Sequence, residues 1–218
     1  HEYDVIGDHS WSKWSYMAGE HYPVVGTMHG PNMFRTPPPK KYSCLTGVSR
    51  EHSRAASKRL GIPVRTAWNC VDIPAYPFTK QKGNGFLRLN RISPEKGIHK
   101  FLEFIAKTNQ TGDVVGDDSL LVGKDYAKNI RDSCQRIPNM TFHGLVSNER
   151  KLELIQKSRA VVLLPQMPYM EIFGSAAIEG MACGKPIICT PNGGLKDLVV
   201  NEETGFFVET VEQFKQVI

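Results

Sequence analysis

The sequence of 218 residues contains no long apolar run, although 40% of its residues are hydrophobic. A helix that crosses a bilayer needs roughly 20 consecutive apolar residues, so we predict no transmembrane segment. The first residues, HEYDVIGDHSW, lack the basic-then-apolar arrangement of a signal peptide. Because the chain starts with His1 rather than methionine, we expect its natural start to be missing.

Signatures of metal and disulfide frameworks are also missing. The five cysteines include no C-x-x-C pair, and the seven histidines show no spacing such as H-E-x-x-H. We therefore predict no metal site, and thiols that stay free in a reducing cytoplasm. The net charge of +5 is small and scattered, which does not indicate a partner nucleic acid. It represents ordinary surface charge or suits an anionic substrate or peripheral contact with an anionic membrane.

From about residue 85, short apolar runs alternate with segments of helical periodicity. This alternation is typical of an α/β protein with a parallel, doubly wound, Rossmann-like sheet. The predicted strands cover residues 86–89, 119–122, 140–143, 160–164, 186–189 and 205–208. One helix is predicted to begin at Ser93, a capping residue followed by Pro94, and another at Ser147.

The first 80 residues show a weaker pattern of the same kind. Strands are predicted at 24–28 and 44–48, with a helix over 50–60. Three consecutive prolines predict a rigid loop over residues 30–39. The polar stretch 79–85 has the composition of a linker. We therefore divide the chain into residues 1–80 and 81–218, and the first part is about half the size of a whole Rossmann-like domain.

A helix rich in small residues follows the predicted strand at 160–164 and a loop. The backbone N–H groups of Phe173, Gly174 and Ser175 are expected near its N-terminus. Such groups have no partner inside the helix, and the helix dipole favours an anion there. Gly174 has no Cβ, so a phosphate can approach the backbone closely.

Two glutamates, Glu171 and Glu179, are eight positions apart in this segment. Glycoside hydrolases need carboxyl groups about 5–5.5 Å apart for retention and about 6.5–9.5 Å apart for inversion. Eight helical positions give a rise of roughly 12 Å. The pair therefore suits two separate hydrogen-bond acceptors along an extended ligand. The alternative is structural: Glu171 supports the helix N-terminus and Glu179 is solvated.

Two cations, Arg91 and Lys96, flank the turn after the predicted strand at 86–89. Ligands of open α/β sheets bind beyond the carboxyl ends of strands, where this turn is expected. Cations near a helix N-terminus interact unfavourably with the positive end of the helix dipole. A bound diphosphate would compensate that interaction with its negative charge. Ordinary exposed basic residues remain the alternative.

Together these motifs resemble the nucleotide-binding domain of the retaining group 1 (family four) glycosyltransferases. The matching segments, in order and at the usual spacing, are 91–96, 122–123, 142–146, 171–179, 190–194 and 204–206. Segments 8–10, 27–30, 48–50 and 69–72 resemble the latter part of the N-terminal domain of that family more weakly. The resemblance implies the GT-B fold, with a donor-binding domain at 81–218 preceded by a partial, acceptor-side α/β lobe at 1–80.

The sequence departs from this family in several places. Asn90 stands where the family usually has glycine, Ile172 replaces proline, and Cys70 replaces the glycine of an N-G-V-D turn. The early glycine-rich loop of the N-terminal domain and the closing C-terminal helices are absent. We therefore expect a fragment with an incomplete N-terminal domain.

The resemblance implies four catalytic residues. Arg91 and Lys96 would bind the donor diphosphate and stabilise its charge as it departs, an interaction that strengthens in the transition state. Glu171 would hold hydroxyl groups of the transferred sugar. His29 would face the reacting sugar from the other domain, although a histidine bonded to backbone at a strand end is the alternative.

The resemblance also implies a set of binding residues. The backbone of Phe173, Gly174 and Ser175 would donate to the phosphates and nearby sugar, while Glu179 would hold the ribose hydroxyls. The residues implied to contact the base are His143, Gly144 and Leu145.

The implied reaction transfers a sugar from a nucleoside-diphosphate sugar to an unknown acceptor, sugar or lipid-linked, with retention of configuration. It needs no cofactor and no metal. Two other interpretations stay open. A GT-B-fold sugar epimerase would need acid and base groups beyond His29, and the short first part is compatible with a nucleotide-sugar-binding module without activity.

Overall fold

The computed structural model describes residues 4–9, 23–30, 43–118 and 124–218. The loop predicted at 30–39 lies outside these ranges except for Gly30, and the strand predicted at 119–122 lies outside them entirely. Packing divides the chain into a first unit, residues 1–70 with 171–173, and a second unit, residues 71–170 with 174–218. The functional division at residue 80 stays a prediction.

The first unit contains a four-stranded parallel sheet and one described helix. Its strands, in spatial order, are β1 (Ile6–Asp8), β2 (Val24–Met28), β3 (Cys44–Gly47) and β4 (Arg65–Thr66). Helix α1 (Arg50–Leu60) begins after Ser49, whose hydroxyl accepts a hydrogen bond from the His52 N–H, and ends at Gly61. These elements confirm the predicted strands at 24–28 and 44–48 and the predicted helix.

Within the first turn of α1, His52 is buried and its Nδ1 accepts a hydrogen bond from the Val48 N–H at 3.3 Å. Burial lowers the pKa of His52 from its usual 6.5 to about 4. The unfolded chain therefore binds a proton more readily than the folded chain. The free energy of unfolding is unaffected by His52 above pH ~6.5 and falls as the pH drops from there towards 4. We expect the free energy of unfolding of this unit to fall by on the order of 2–3 kcal/mol between about pH 7 and pH 4.

Tryptophan fluorescence can measure this change because all three tryptophans precede residue 71 in the sequence. Urea unfolding is followed across the pH range for the natural chain and for His52→Gln, which cannot take up a proton. The variant should show a flatter pH dependence. Parallel pH profiles for the two proteins would exclude His52 as the cause.

The second unit is built on a six-stranded sheet in which every pairing is parallel. The strand order is β10-β9-β8-β5-β6-β7. The strands are β5 (Phe86–Leu89), β6 (Gly112–Val115), β7 (Met140–Gly144), β8 (Ala160–Leu163), β9 (Ile187–Cys189) and β10 (Gly205–Phe207). The helices are α2 (Ile98–Thr108), α3 (Lys124–Arg136), α4 (Asn148–Lys157), α5 (Ser175–Ala182), α6 (Leu195–Leu198) and α7 (Val211–Val217).

Apolar side chains cover both faces of this sheet. Successive residues of β8 alternate between two buried clusters: Ala160 and Val162 belong to one, Val161 and Leu163 to the other. Because neighbouring strand residues point to opposite faces, the two clusters lie on opposite sides of the sheet. This confirms the doubly wound α/β interpretation and explains why the predicted strand was an unbroken apolar run.

The predicted strands of the second unit that the structure describes, and the helix after Ser147, are confirmed to within a residue. Strand β6 was not predicted, because Gly-Asp-Val-Val is too short and too polar to show a pattern. The prediction that a helix begins at Ser93 is wrong. Residues Pro94–Lys96 form only a 3₁₀ turn, Gly97 adopts the left-handed conformation with φ of 70°, and α2 begins at Ile98.

Candidate functional site

The order of strands in the second unit reverses at β5. From β5 the chain builds β6 and β7 on one side, then returns to place β8, β9 and β10 on the other. In open parallel sheets, ligands bind beyond the carboxyl ends of the strands at such a switch point. The loops that leave the carboxyl ends of β5 and β8 therefore form the first candidate site.

Lys96 lies where these two loops meet. Its side chain is buried, and its Nζ donates a hydrogen bond to the Tyr169 hydroxyl at 2.9 Å. The same Nζ lies 4.7 Å from the centroid of the Tyr169 ring, which is a cation–π contact. The Gln166 N–H donates to the Glu95 carbonyl at 3.0 Å and ties the loops together at a second point. Lys96 is thus a cation held in place at the switch point.

Arg88, a buried arginine of β5, supports the turn that carries Lys96. Arg88 is fully buried in β5, and its guanidinium donates hydrogen bonds to the carbonyl of Val162 at 2.8 Å and to the carbonyl of Lys96. The planar fork of a guanidinium suits two acceptors at once. No role was predicted for Arg88, although a cation inside the apolar run Phe-Leu-Arg-Leu is a signal in the sequence.

Arg91 has a different environment from Lys96. Its guanidinium forms an ion pair with Glu95 at 3.0 Å and is about half exposed. Burial opposes ionisation of Glu95, but hydrogen bonds from Ser93 and Arg91 outweigh it and lower the pKa of that carboxyl. The structure therefore brings Lys96 to the loop after β8, whereas Arg91 is paired within its own turn.

The N-terminus of α5 has no side-chain cap. Gly174 precedes the helix with φ of 98°, whereas α4 and α7 are capped by the hydroxyls of Ser147 and Thr210. A Cβ at Gly174 would lie 2.6 Å from Cδ2 of Leu195, so packing also favours glycine. Ser175, the first helical residue, is exposed. The Ala177 N–H donates to the Gly174 carbonyl at 2.8 Å, and the earlier N–H groups of such a helical turn are the ones that can bind an anion.

Glu171 and Phe173 precede this helix and pack with the first unit. Both residues are buried, and the Phe173 ring centroid is 6.3 Å from that of Trp68. The helical arrangement expected from Glu171 to Glu179 is wrong because α5 begins only at Ser175, after the left-handed Gly174. The rise of roughly 12 Å therefore does not describe the two carboxyl groups.

Glu179 lies on α5 and is engaged by two partners of the second unit. Its Oε1 accepts hydrogen bonds from the Tyr76 hydroxyl at 2.9 Å and from the Lys151 Nζ at 3.0 Å. The interpretation of Glu179 as a solvated residue is wrong, since only 15% of its side chain is exposed. Neither partner was predicted, because Tyr76 and Lys151 lie 103 and 28 positions away along the chain.

The three residues implied to contact the base were predicted on a loop, but His143 and Gly144 end strand β7 and only Leu145 follows it. The β6–β7 register shifts at His143, whose Nε2 lies 2.7 Å from Asp113 Oδ1. Gly144 adopts φ of 67°, and the Leu145 side chain is exposed. A flat base can pack on such an exposed apolar side chain, so this geometry is compatible with the implied role.

His29 follows β2 in the first unit. Its Nε2 lies 3.0 Å from Nδ1 of His9, so one partner of the ring is a side chain. Burial and the neighbouring His9 lower the pKa of His29, which keeps the ring neutral near pH ~7. The catalytic role of His29 stays a prediction.

Among the described residues, no three His, Cys, Asp or Glu side chains converge as metal ligands. The described helices include none that is both long and apolar enough to cross a membrane. All five cysteines are free thiols.

Comparison with solved structures shows the fold. HepE of Anabaena, solved in complex with UDP and glucose, is similar with a TM-score of 0.82 and 20% identity, over 99% of this chain and 67% of that chain. The chain thus has the GT-B fold, as the sequence predicted.

Curated relatives match over a shorter length. An uncharacterized glycosyltransferase of Methanocaldococcus jannaschii is 29% identical over 119 residues, which is 53% of this chain and 31% of that protein. The glycogen synthase of Mycobacterium tuberculosis is 26% identical over 145 residues, 63% of this chain and 34% of that protein. The matched segment spans about a third of these relatives.

The family described as glycosyl transferases group 1 matches residues 73–218, about two thirds of the chain. This match contains the switch-point loops, helix α5 and the loop after β7. The chain belongs to the group 1 glycosyltransferases.

Proposed function

We propose that this glycosyltransferase moves a sugar from a nucleoside-diphosphate sugar to a sugar or lipid-linked acceptor, with retention of configuration. The observation that carries the proposal is the buried Lys96 at the switch point, fixed against Tyr169 on the loop that leads towards α5. A cation and an uncapped helix N-terminus are two ways to bind a diphosphate. The UDP complex of HepE favours uracil as the first base to test.

In this proposal the bond between the anomeric carbon and the diphosphate oxygen breaks, and its electron pair leaves with the nucleoside diphosphate. Lys96 and Arg91 stabilise the growing negative charge, together with the backbone N–H groups of Phe173, Gly174 and Ser175. The acceptor oxygen bonds to the same face of the sugar, and its proton passes to the departing phosphate. Neither a protein nucleophile, a metal nor a cofactor is required.

The remaining residues orient the substrates. Glu171 holds sugar hydroxyls, Glu179 holds the ribose and His29 faces the reacting sugar, while His143, Gly144 and Leu145 contact the base. The free thiols support a reducing compartment such as the cytoplasm, where peripheral contact with a membrane would give access to a lipid-linked acceptor.

Removing either cation should weaken nucleotide binding. We expect Lys96→Met and Arg91→Ala each to reduce the binding free energy of a nucleoside diphosphate by about 1.5–3 kcal/mol, as for hydrogen bonds to charged groups. Calorimetry with UDP, GDP and ADP measures the loss. Lys107→Ala is the matched control, because Lys107 is exposed on α2 and paired with Glu103.

Unchanged affinity in both variants would refute the phosphate site. A second experiment measures hydrolysis of the sugar donor, and transfer of its sugar, for the nucleotide that binds. Binding without turnover on any donor and acceptor would instead favour a module that binds nucleotide sugars without activity.

A further inference from the structure

Tyr76, Lys151 and Glu179 form a closed triangle of hydrogen bonds in the second unit. Lys151 Nζ donates to the Tyr76 hydroxyl at 3.0 Å and to Glu179 Oε1 at 3.0 Å, and the Tyr76 hydroxyl donates to the same Oε1 at 2.9 Å. Both donors thus converge on one carboxylate oxygen. The other oxygen, Oε2, has no hydrogen-bond partner among the residues that the structure describes.

We propose that Lys151 and Tyr76 are positioning residues that hold Oε1 of Glu179, so that Oε2 accepts the ribose hydroxyls of the donor and the enzyme selects ribonucleotides over 2′-deoxyribonucleotides. This inference rests on the proposed function, because it requires Glu179 to contact the donor ribose. It adds two residues that the family resemblance did not include, and a substrate property that they control.

The triangle restricts the carboxylate before any ligand arrives. A glutamate side chain on a helix surface samples several rotamers, and ordering it on binding costs free energy. Two donors on Oε1, one of them a cation, fix the carboxylate plane and the direction of Oε2 in advance. The ligand then avoids most of that ordering cost, which is the general benefit of preorganisation.

The protonation states of both donors suit this role. Burial raises the pKa of Tyr76, so its phenol keeps the proton that it donates to Glu179. Burial alone would lower the pKa of Lys151, but its hydrogen bonds to Tyr76 and Glu179 outweigh that effect and raise it. Lys151 therefore remains an ammonium over the pH range in which nucleotide sugars are stable.

The three residues of the triangle lie on three separate segments, which favours a functional role over the stabilisation of a single helix. Tyr76 follows a 3₁₀ turn, Lys151 belongs to α4 and Glu179 to α5. The Tyr76 ring packs against the buried cluster that contains Val161 and Leu163, and Lys151 Nζ lies 5.4 Å from the centroid of that ring. The exposed ion pairs of α4, such as Lys157 with Glu153, join neighbouring turns of one helix instead.

The experiment compares ribose and deoxyribose ligands. Calorimetry measures the dissociation constants of UDP and 2′-deoxy-UDP, and of the GDP and ADP pairs, for the natural chain, Lys151→Met and Tyr76→Phe. We expect the natural chain to prefer the ribonucleotide by about tenfold or more, since a site built for a hydroxyl rejects the analogue without it. The preference should fall to about threefold or less in Lys151→Met and to an intermediate value in Tyr76→Phe.

Lys157→Met is the matched control, because it removes an ion-paired lysine from the same helix and should keep the full preference. A purely structural role of Lys151 would weaken both nucleotides of a pair equally and leave their ratio unchanged. That unchanged ratio in Lys151→Met would overturn the inference while leaving the proposed function intact. Failure of the natural chain to bind any of the three ribonucleotides would overturn both.

Discussion

Replacing Gly97 by alanine is expected to lower the free energy of unfolding of the second unit by about 3–5 kcal/mol. An alanine at φ of 70° costs roughly 1–2 kcal/mol because its Cβ crowds the backbone. The new Cβ would also lie 1.9 Å from the Leu164 carbonyl oxygen, an overlap that only backbone movement can relieve. Urea unfolding followed by far-ultraviolet circular dichroism measures the loss.

Gly144→Ala provides the control for conformation alone. Gly144 has nearly the same φ, 67°, but its Cβ would have ordinary contact with the Phe142 ring at 3.7 Å. We expect this variant to lose only about 1–2 kcal/mol. Equal losses at the two positions would show that the close approach of Gly97 to the loop after β8 does not contribute to the loss.

Arg88→Met should have an effect of similar size for a different reason. Methionine fills part of the volume but leaves the buried carbonyls of Val162 and Lys96 without their donor, at about 1–3 kcal/mol for each. We expect a loss of about 3–5 kcal/mol in unfolding free energy. Nucleoside diphosphate affinity should also fall, because the turn that carries Lys96 loses its support.

Two further variants separate charge from geometry. Arg88→Lys keeps the charge but lacks the planar fork, so it should recover only part of the stability. Arg159→Met removes an exposed arginine that lies 5.9 Å from the centroid of the Phe86 ring, and it should cost less than about 1 kcal/mol. A loss at Arg88 no larger than the loss at Arg159 would contradict the supporting role of Arg88.

The fold was predictable where burial on both faces left a strong signal. Residues 160–164 form an unbroken apolar run because both sides of β8 are covered, and Ser147 caps α4 as its residue type indicates. The start of α2 was not predictable in the same way. Ser93 and Pro94 have the signature of a helix start, but the close approach of Gly97 to Leu164 requires a left-handed residue, and that contact is invisible in the local sequence.

The candidate site shows the same limit. Lys96 and Glu179 could be proposed from motifs, because their spacing is local and resembles that of a known family. Their partners could not be, because Tyr169 lies 73 positions from Lys96, and Tyr76 lies 103 positions from Glu179. Such contacts depend on strand order, which brings distant loops to one edge of the sheet.

The central place of β5 also has a consequence during synthesis of the chain. Its neighbour β6, and β7 beyond it, leave the ribosome first, whereas β8, which pairs with the other edge of β5, begins at Ala160. Until then, that edge exposes unpaired backbone groups, and Arg88 lacks the Val162 carbonyl. The nascent half-sheet is therefore the species most exposed to aggregation, and chaperone binding should be needed until β8 emerges.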